Sequence, residues 1–115
     1  MAKRVTRIYT GPDGESHFDD IEIAVGDKGV SGRRSEIMKA TGVIFVELNS
    51  EHERTWHNAP RRQFVIILEG ELEIEIGDGT KRRLGSGDVL LAEDTTGRGH
   101  LSRSVNRKAI VVPLD

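Results

Sequence analysis

Four histidines and no cysteine set the side-chain chemistry open to this 115-residue chain. An unperturbed imidazole titrates near neutral pH, so His17, His52, His57 and His100 are the natural general acids or bases. The missing cysteine removes disulfides, thiolate zinc sites and cysteine nucleophiles. No serine sits in a strand-turn-helix elbow, so a Ser-His-acid nucleophile is hard to build. Arg61-Arg62 and Arg98 can grip a carboxylate bidentately, but lying near Pro60, Gly97 and Gly99 they suit solvated loop ends equally well. Glu93-Asp94, in a Gly/Thr-rich stretch, either lends an acid or base or bonds neighbouring amides in a turn. Trp56, the only tryptophan, reads as a lid, a subunit contact or a core residue. His17 and His52 sit in polar surroundings and read as surface residues. Lys81-Arg82-Arg83 and Arg107-Lys108 read as solvated strand faces or turns.

Short alternating segments must position these groups. Glu71-Leu72-Glu73-Ile74-Glu75-Ile76 sends three apolar side chains one way and three glutamates the other, the period of a strand. Gly77 to Thr80 supplies turn chemistry, and Lys81 to Leu84 returns antiparallel with its basic face beside the glutamates. Ile21 to Val25, Val43 to Leu48, Phe64 to Leu68, Val89 to Ala92 and Ala109 to Val112 are further strands. Pro113 ends the last, having no N–H to donate. Gly11 to Gly14 and Gly85 to Asp88 are turns. Gly26 to Ala40 reads as a loop with one helical turn at Ser35 to Lys39. The spacing predicts an all-β barrel or sandwich in a single domain.

Seventeen Lys and Arg against nineteen Asp and Glu leave a net charge of −2, without the basic excess of a nucleic-acid binder. Phe64 to Leu68 is the longest apolar run, far short of the ~20 residues of a membrane span. The first residues carry basic side chains but no following apolar stretch, so no signal peptide is visible. The expected chain is therefore cytoplasmic, with neither nucleic acid nor membrane as partner.

Residues 56–104 resemble the two-motif core of the cupin superfamily, a double-stranded β-helix or jelly-roll barrel. The first cupin motif runs His-x-His, then Glu, then Gly, and His57, Ala59, Gln63 and Gly70 fall at its spacing. Val65-Ile66-Ile67-Leu68-Glu69-Gly70-Glu71 is similar to its strand and turn. Gly97-Arg98-Gly99-His100 matches the end of the second motif and Gly87-Asp88-Val89 resembles its opening. The loop between is about two residues longer than the family pattern, Thr95 stands at the motif's proline and Ser104 at its closing asparagine. The Glu93 to His100 run resembles that of a group of small bacterial cupins. One barrel over residues 1–115 is the implied domain.

Metal-binding cupins use two histidines and a glutamate from the first motif and one histidine from the second. Here Ala59 cannot ligate and Gln63 offers only a neutral amide oxygen, so the metal motif is degenerate. A divalent ion (iron, manganese, nickel or zinc) is expected to be held weakly, if at all, by His57, His100 and Gln63. With Gln63 inward as in the family, alternation brings His57, Ala59, Arg61, Val65 and Ile67 inward. Arg98, His100, Ser102 and Ser104 share a side, and Val89 and Leu91 make an apolar floor. A site of Trp56, Arg61, Gln63, Arg98 and Ser102 around His57 and His100 would select a small organic anion such as a carboxylate.

The first functional expectation is therefore a ligand-binding barrel with acid/base chemistry of the isomerase, epimerase or lyase kind. His57 or His100 would move the proton, and Arg61 or Arg98 would stabilise the developing charge. A metal-dependent dioxygenase on His57 and His100 is the second, and a non-catalytic sensor or interaction module the third. Homodimers by edge pairing or strand exchange are expected, with Arg7 to Thr10 as the candidate exchanged strand.

Overall fold

The computed structural model describes residues 2–27 and 32–114, and among them it contains strands and no helix. No described helix is therefore long and apolar enough to cross a membrane. In chain order the strands are β1 (Ala2–Thr10), β2 (Ser16–Ala24), β3 (Gly26–Asp27), β4 (Arg33–Arg34), β5 (Ile44–Glu47), β6 (Glu51–His57), β7 (Gln63–Glu75), β8 (Lys81–Leu84), β9 (Val89–Glu93) and β10 (His100–Pro113). Eight of them form one mixed sheet in the order β2-β1-β9-β7-β10-β5, with β6 also on β10 and β8 on β7. The β1–β9 pairing is parallel and the other described pairings are antiparallel. Strands β3 and β4 pair only with each other.

The β7–β8 arm forms as its alternation requires. Leu72 and Ile74 are buried, while Glu73 faces Arg83 and Glu75 faces Lys81 across the ladder. The interior gathers Ile8, Val65, Ile67, Leu72, Ile74, Ile76, Leu84, Leu90, Ala92, Ala109 and Val111. Each large aliphatic side chain there contributes roughly 1.5–3 kcal/mol of transfer free energy. On the opposite face a smaller cluster joins Val5, Phe64 and Leu91, with Ile21, Ile23 and Val89 packed against it.

Strand β7 runs unbroken through Gly70, where the sequence suggests two strands. Gly70 has φ of 78°, and Asn106 on the paired strand β10 has φ of 47°. The β7–β10 register shifts at this point, between Val105 and Lys108. The consequence is a change of parity on both strands. Before Gly70 the inward residues are Gln63, Val65 and Ile67, and after it they are Leu72 and Ile74. On β10 they are His100, Ser102 and Ser104 before Asn106, then Arg107, Ala109 and Val111 after it. Gly70 is the residue that permits the bend, since a Cβ there would collide with the carbonyls of Val105 and Asn106.

Several expectations change. Leu90 and Ala92 form the interior wall in place of Val89 and Leu91, because Val65 pairs with Leu90 and Gln63 with Ala92. Directly paired residues share a face of the sheet. Ser35 to Lys39 forms no helical turn, and Lys28 to Ser31 of the expected loop lie outside the described residues. Strand β6, which the sequence did not mark, pairs antiparallel with β10.

Candidate functional site

The end of β6 and the start of β10 bring His57 and His100 together edge to face. They are register partners, their ring centroids are 4.4 Å apart and the planes are inclined at 63°. Gly99 allows this approach. With φ of 79° its backbone passes so close to the His57 carbonyl that a Cβ would overlap it.

The two rings are oriented by different partners. The Nδ1 of His57 lies 2.6 Å from the Thr55 carbonyl, so it carries the hydrogen and donates. The Nδ1 of His100 lies 2.6 Å from Oδ2 of Asp94, which also accepts from the Ser16 hydroxyl at 2.7 Å. Asp94 is fully buried, and its Oδ1 has no hydrogen-bond partner. A carboxylate beneath Nδ1 fixes the tautomer that leaves Nε2 of His100 for the cavity. Asp94 is thus neither a solvated turn residue nor the acid at the surface. It is a buried positioning group, held where β9 ends.

Burial lowers the pKa of His57. The Thr55 bond works against that shift, and the neighbouring His100 ring adds to it. The ring is therefore mostly neutral at neutral pH. The unfolded chain, with an ordinary imidazole pKa of about 6.5, takes up a proton that the folded site resists. Stability from His57 is accordingly complete above that value and is lost as the pH falls below it. In His57→Gln, the loss of melting temperature between pH 7 and pH 5 should shrink. An unchanged slope across this window would contradict the burial argument.

A cavity of about 320 Å³ opens from these rings into the barrel. Gln63, Asn58, Ser102 and Ser104 supply polar groups, and Leu72, Ile74, Leu90, Ala92 and Val111 the apolar wall. His52, Arg54 and Arg107 line it as well, and no Asp or Glu is among the described lining residues. Four expected residues, His57, Gln63, His100 and Ser102, therefore meet in one cavity.

Three expected residues do not line it. Arg98 is exposed, pairs with Glu15 at 3.0 Å and lies 4.4 Å from the centre of the Trp56 ring. The left-handed turns at Gly97 and Gly99 break the alternation that was to carry Arg98 inward. Trp56 is half-buried and lies beneath this arginine, outside the cavity. Arg61 reaches the site only through Gln63, whose Oε1 accepts from its Nη1 at 3.0 Å. Its neighbour Arg62 joins Arg7 on Glu93. Burial would raise the Glu93 carboxyl, and the two arginine hydrogen bonds outweigh that and hold it below the usual carboxylate range.

The positive charge comes instead from residues the sequence reading left on the surface. Glu51-His52-Glu53-Arg54 alternates acid with base, and β6 turns the basic members to the cavity. That alternation was a legible strand signal without apolar residues. Arg107 had no such signal, because only the change of parity at Asn106 turns it inward.

The donor set does not fit the divalent metal that the degenerate motif implies. Besides two imidazoles, the expected third ligand is an amide oxygen already engaged by a guanidinium. Among the described residues no group of three or more His, Cys, Asp or Glu gathers in a metal-binding cluster. The remaining charged groups around the cavity are cationic.

No protein-family model matches the chain. Over 77 residues, 64% of the chain, it is 31% identical to oryzines biosynthesis cluster protein J of Aspergillus oryzae. The chain spans about two fifths of that relative, 41% of its length. Among solved structures, it is similar to the cupin domain of Cnp3 from Schizosaccharomyces pombe, with a TM-score of 0.44 and 11% identity over 96% of this chain and 84% of that one. It is also similar to ethanolamine utilization protein Q of Salmonella typhimurium, with a TM-score of 0.39 and 14% identity over 100% of this chain and 99% of that one. At such identities the likeness concerns the fold alone. The all-strand architecture itself stands on the strand order and pairing of this chain.

Proposed function

We propose that this cupin-type jelly-roll barrel binds a small organic anion in its cavity and that His100 exchanges a proton with it. The observation that carries the reading is the His100–Asp94 pair at the mouth of a cavity lined by cations and by no described carboxylate. Asp94 holds Nδ1, so Nε2 is the atom that takes or returns a proton. The neutral His57 ring, 4.4 Å away, is the second acid/base group. As negative charge develops on an enolate, the guanidinium of Arg54, whose register partner Ser102 lies two positions from His100, favours it. The reaction class is proton transfer next to a carbonyl, as in isomerases, epimerases and lyases.

The test is exchange of deuterium from D2O into small oxo- and hydroxy-carboxylic acids, followed by NMR in the presence of EDTA. The reading expects exchange that survives the chelator and falls by about 10²–10⁴ in His100→Gln. Exchange abolished by EDTA and restored by iron or manganese would replace this reading with metal chemistry. Saturable binding without exchange from any acid would leave a binding module and overturn the catalytic part.

A further inference from the structure

Proton chemistry at His100 leaves unexplained the other cations that line the cavity. Arg107 follows the Asn106 bend and turns into the cavity, where its Nε is buried without a hydrogen-bond partner. A buried N–H without an acceptor is costly, and a guanidinium in that position more so. Arg54 lines the same cavity from β6, and its charge adds to burial in lowering the Arg107 pKa. Ser104, also buried, lies on β10 between Ser102 and the bend, opposite His52 of β6. Two guanidinium groups, one imidazole and one hydroxyl thus surround a space that no described acidic side chain enters.

We propose that Arg107 and Arg54 form the seat for the carboxylate of the bound molecule. The inference rests on the reading of the cavity as a small-molecule site. A carboxylate side-on to a guanidinium accepts from Nε and one Nη together, which would satisfy the orphaned Nε. A single planar anion suits this seat better than a phosphate, which in other proteins is commonly gathered by backbone amides at a helix N-terminus. Here the described residues contain no helix. Arg107 stands seven positions from His100 on β10, at the other end of the cavity. Leu72, Leu90 and Val111 supply apolar wall in the same cavity. The ligand is therefore an extended carboxylic acid with an apolar middle, its carboxylate at Arg107 and its far end under His57 and His100.

Thermal shift and calorimetry with hexanoate, octanoate and 3-phenylpropionate test this, with hexanamide and 3-phenylpropionamide as neutral counterparts and inorganic phosphate as a second anion. The acids should stabilise the protein, the amides should bind at least tenfold more weakly, and phosphate should be ineffective. Arg107→Met should lose at least tenfold in affinity for the acids. Without ligand, its melting temperature should rise by about 2–6 °C as the unsatisfied cation is removed. Arg83→Met, which alters a cation outside the cavity, should retain affinity within threefold. Equal binding of acid and amide, or unchanged affinity in Arg107→Met, overturns the carboxylate seat but leaves the cavity reading standing. Equal stabilisation by phosphate overturns the assignment to a carboxylate. If neither acids nor amides bind, both the seat and the small-molecule reading fail.

Discussion

Asp94→Ala should unfold at a temperature at least about 10 °C below the parent chain. Asp94 is fully buried and accepts from Ser16 and from Nδ1 of His100. Its removal leaves a hydroxyl and an imidazole N–H without partners in a cavity the size of a carboxyl group. Breaking a buried pair of this kind costs about 3–5 kcal/mol, and each kcal/mol moves a domain of this size by about 4 °C. Asp94→Asn separates positioning from packing. The amide keeps the shape, but its NH2 would be an unsatisfied buried donor in the Oδ1 position, so it turns to Nδ1 and Ser16 and the His100 tautomer should switch while most of the stability remains. Nitrogen-15 NMR of the imidazole reads the switch directly. A mutant with unaltered melting temperature and unaltered His100 resonances would show that the pair does not hold the ring.

Gly99→Ala should be nearly as damaging, and for a local reason. The residue has φ of 79°, which costs an L-amino acid about 1–2 kcal/mol by itself. Its Cβ would then overlap the carbonyl of His57, backbone that cannot move aside without shifting β6. A total loss of about 3 kcal/mol or more follows. Because the overlap falls where His57 pairs with His100, ligand affinity should fall together with stability. Gly85→Ala is the control. A Cβ there meets nothing nearer than 4.0 Å, and its backbone is not in the left-handed region. Its stability should stay within about 0.5 kcal/mol of the parent. Comparable losses at both positions would contradict the steric account.

The all-β fold was legible because it is written locally. The apolar-acid alternation of Glu71 to Ile76, the turn at Gly77 to Thr80 and the Gly-x-x-His ending at His100 each act within a few residues. His57, Gln63, His100 and Ser102 were legible for the same reason. What escaped depends on backbone events that no side-chain pattern records. The paired bends at Gly70 and Asn106 change the parity of β7 and β10. That is enough to bring Arg107, written next to Lys108 like any surface pair, into the cavity. The turns at Gly97 and Gly99 did the reverse to Arg98 and sent it to Trp56 and Glu15. Asp94 was visible as a residue but not as a buried one, since its partner Ser16 lies 78 positions away.

The proposed anion site keeps the charge that the sequence led us to expect, while the residues that would supply it change. Arg61 and Arg98 give way to Arg54 and Arg107, and Asp94 joins His100. The cavity then has two chemically distinct ends joined by an aliphatic wall. A site of that form selects by shape and charge together.

The most direct test is histidine-selective NMR during titration with straight-chain carboxylates from acetate to octanoate. His57 and His100 line the cavity, whereas His17 is bound to Asp13 outside it. Saturable movement of the His57 and His100 resonances, with His17 unmoved and affinity rising with chain length, is the predicted result. Resonances of His57 and His100 that stay fixed with every acid, or that move no more than His17, would contradict the assignment of this barrel as a site for an organic anion.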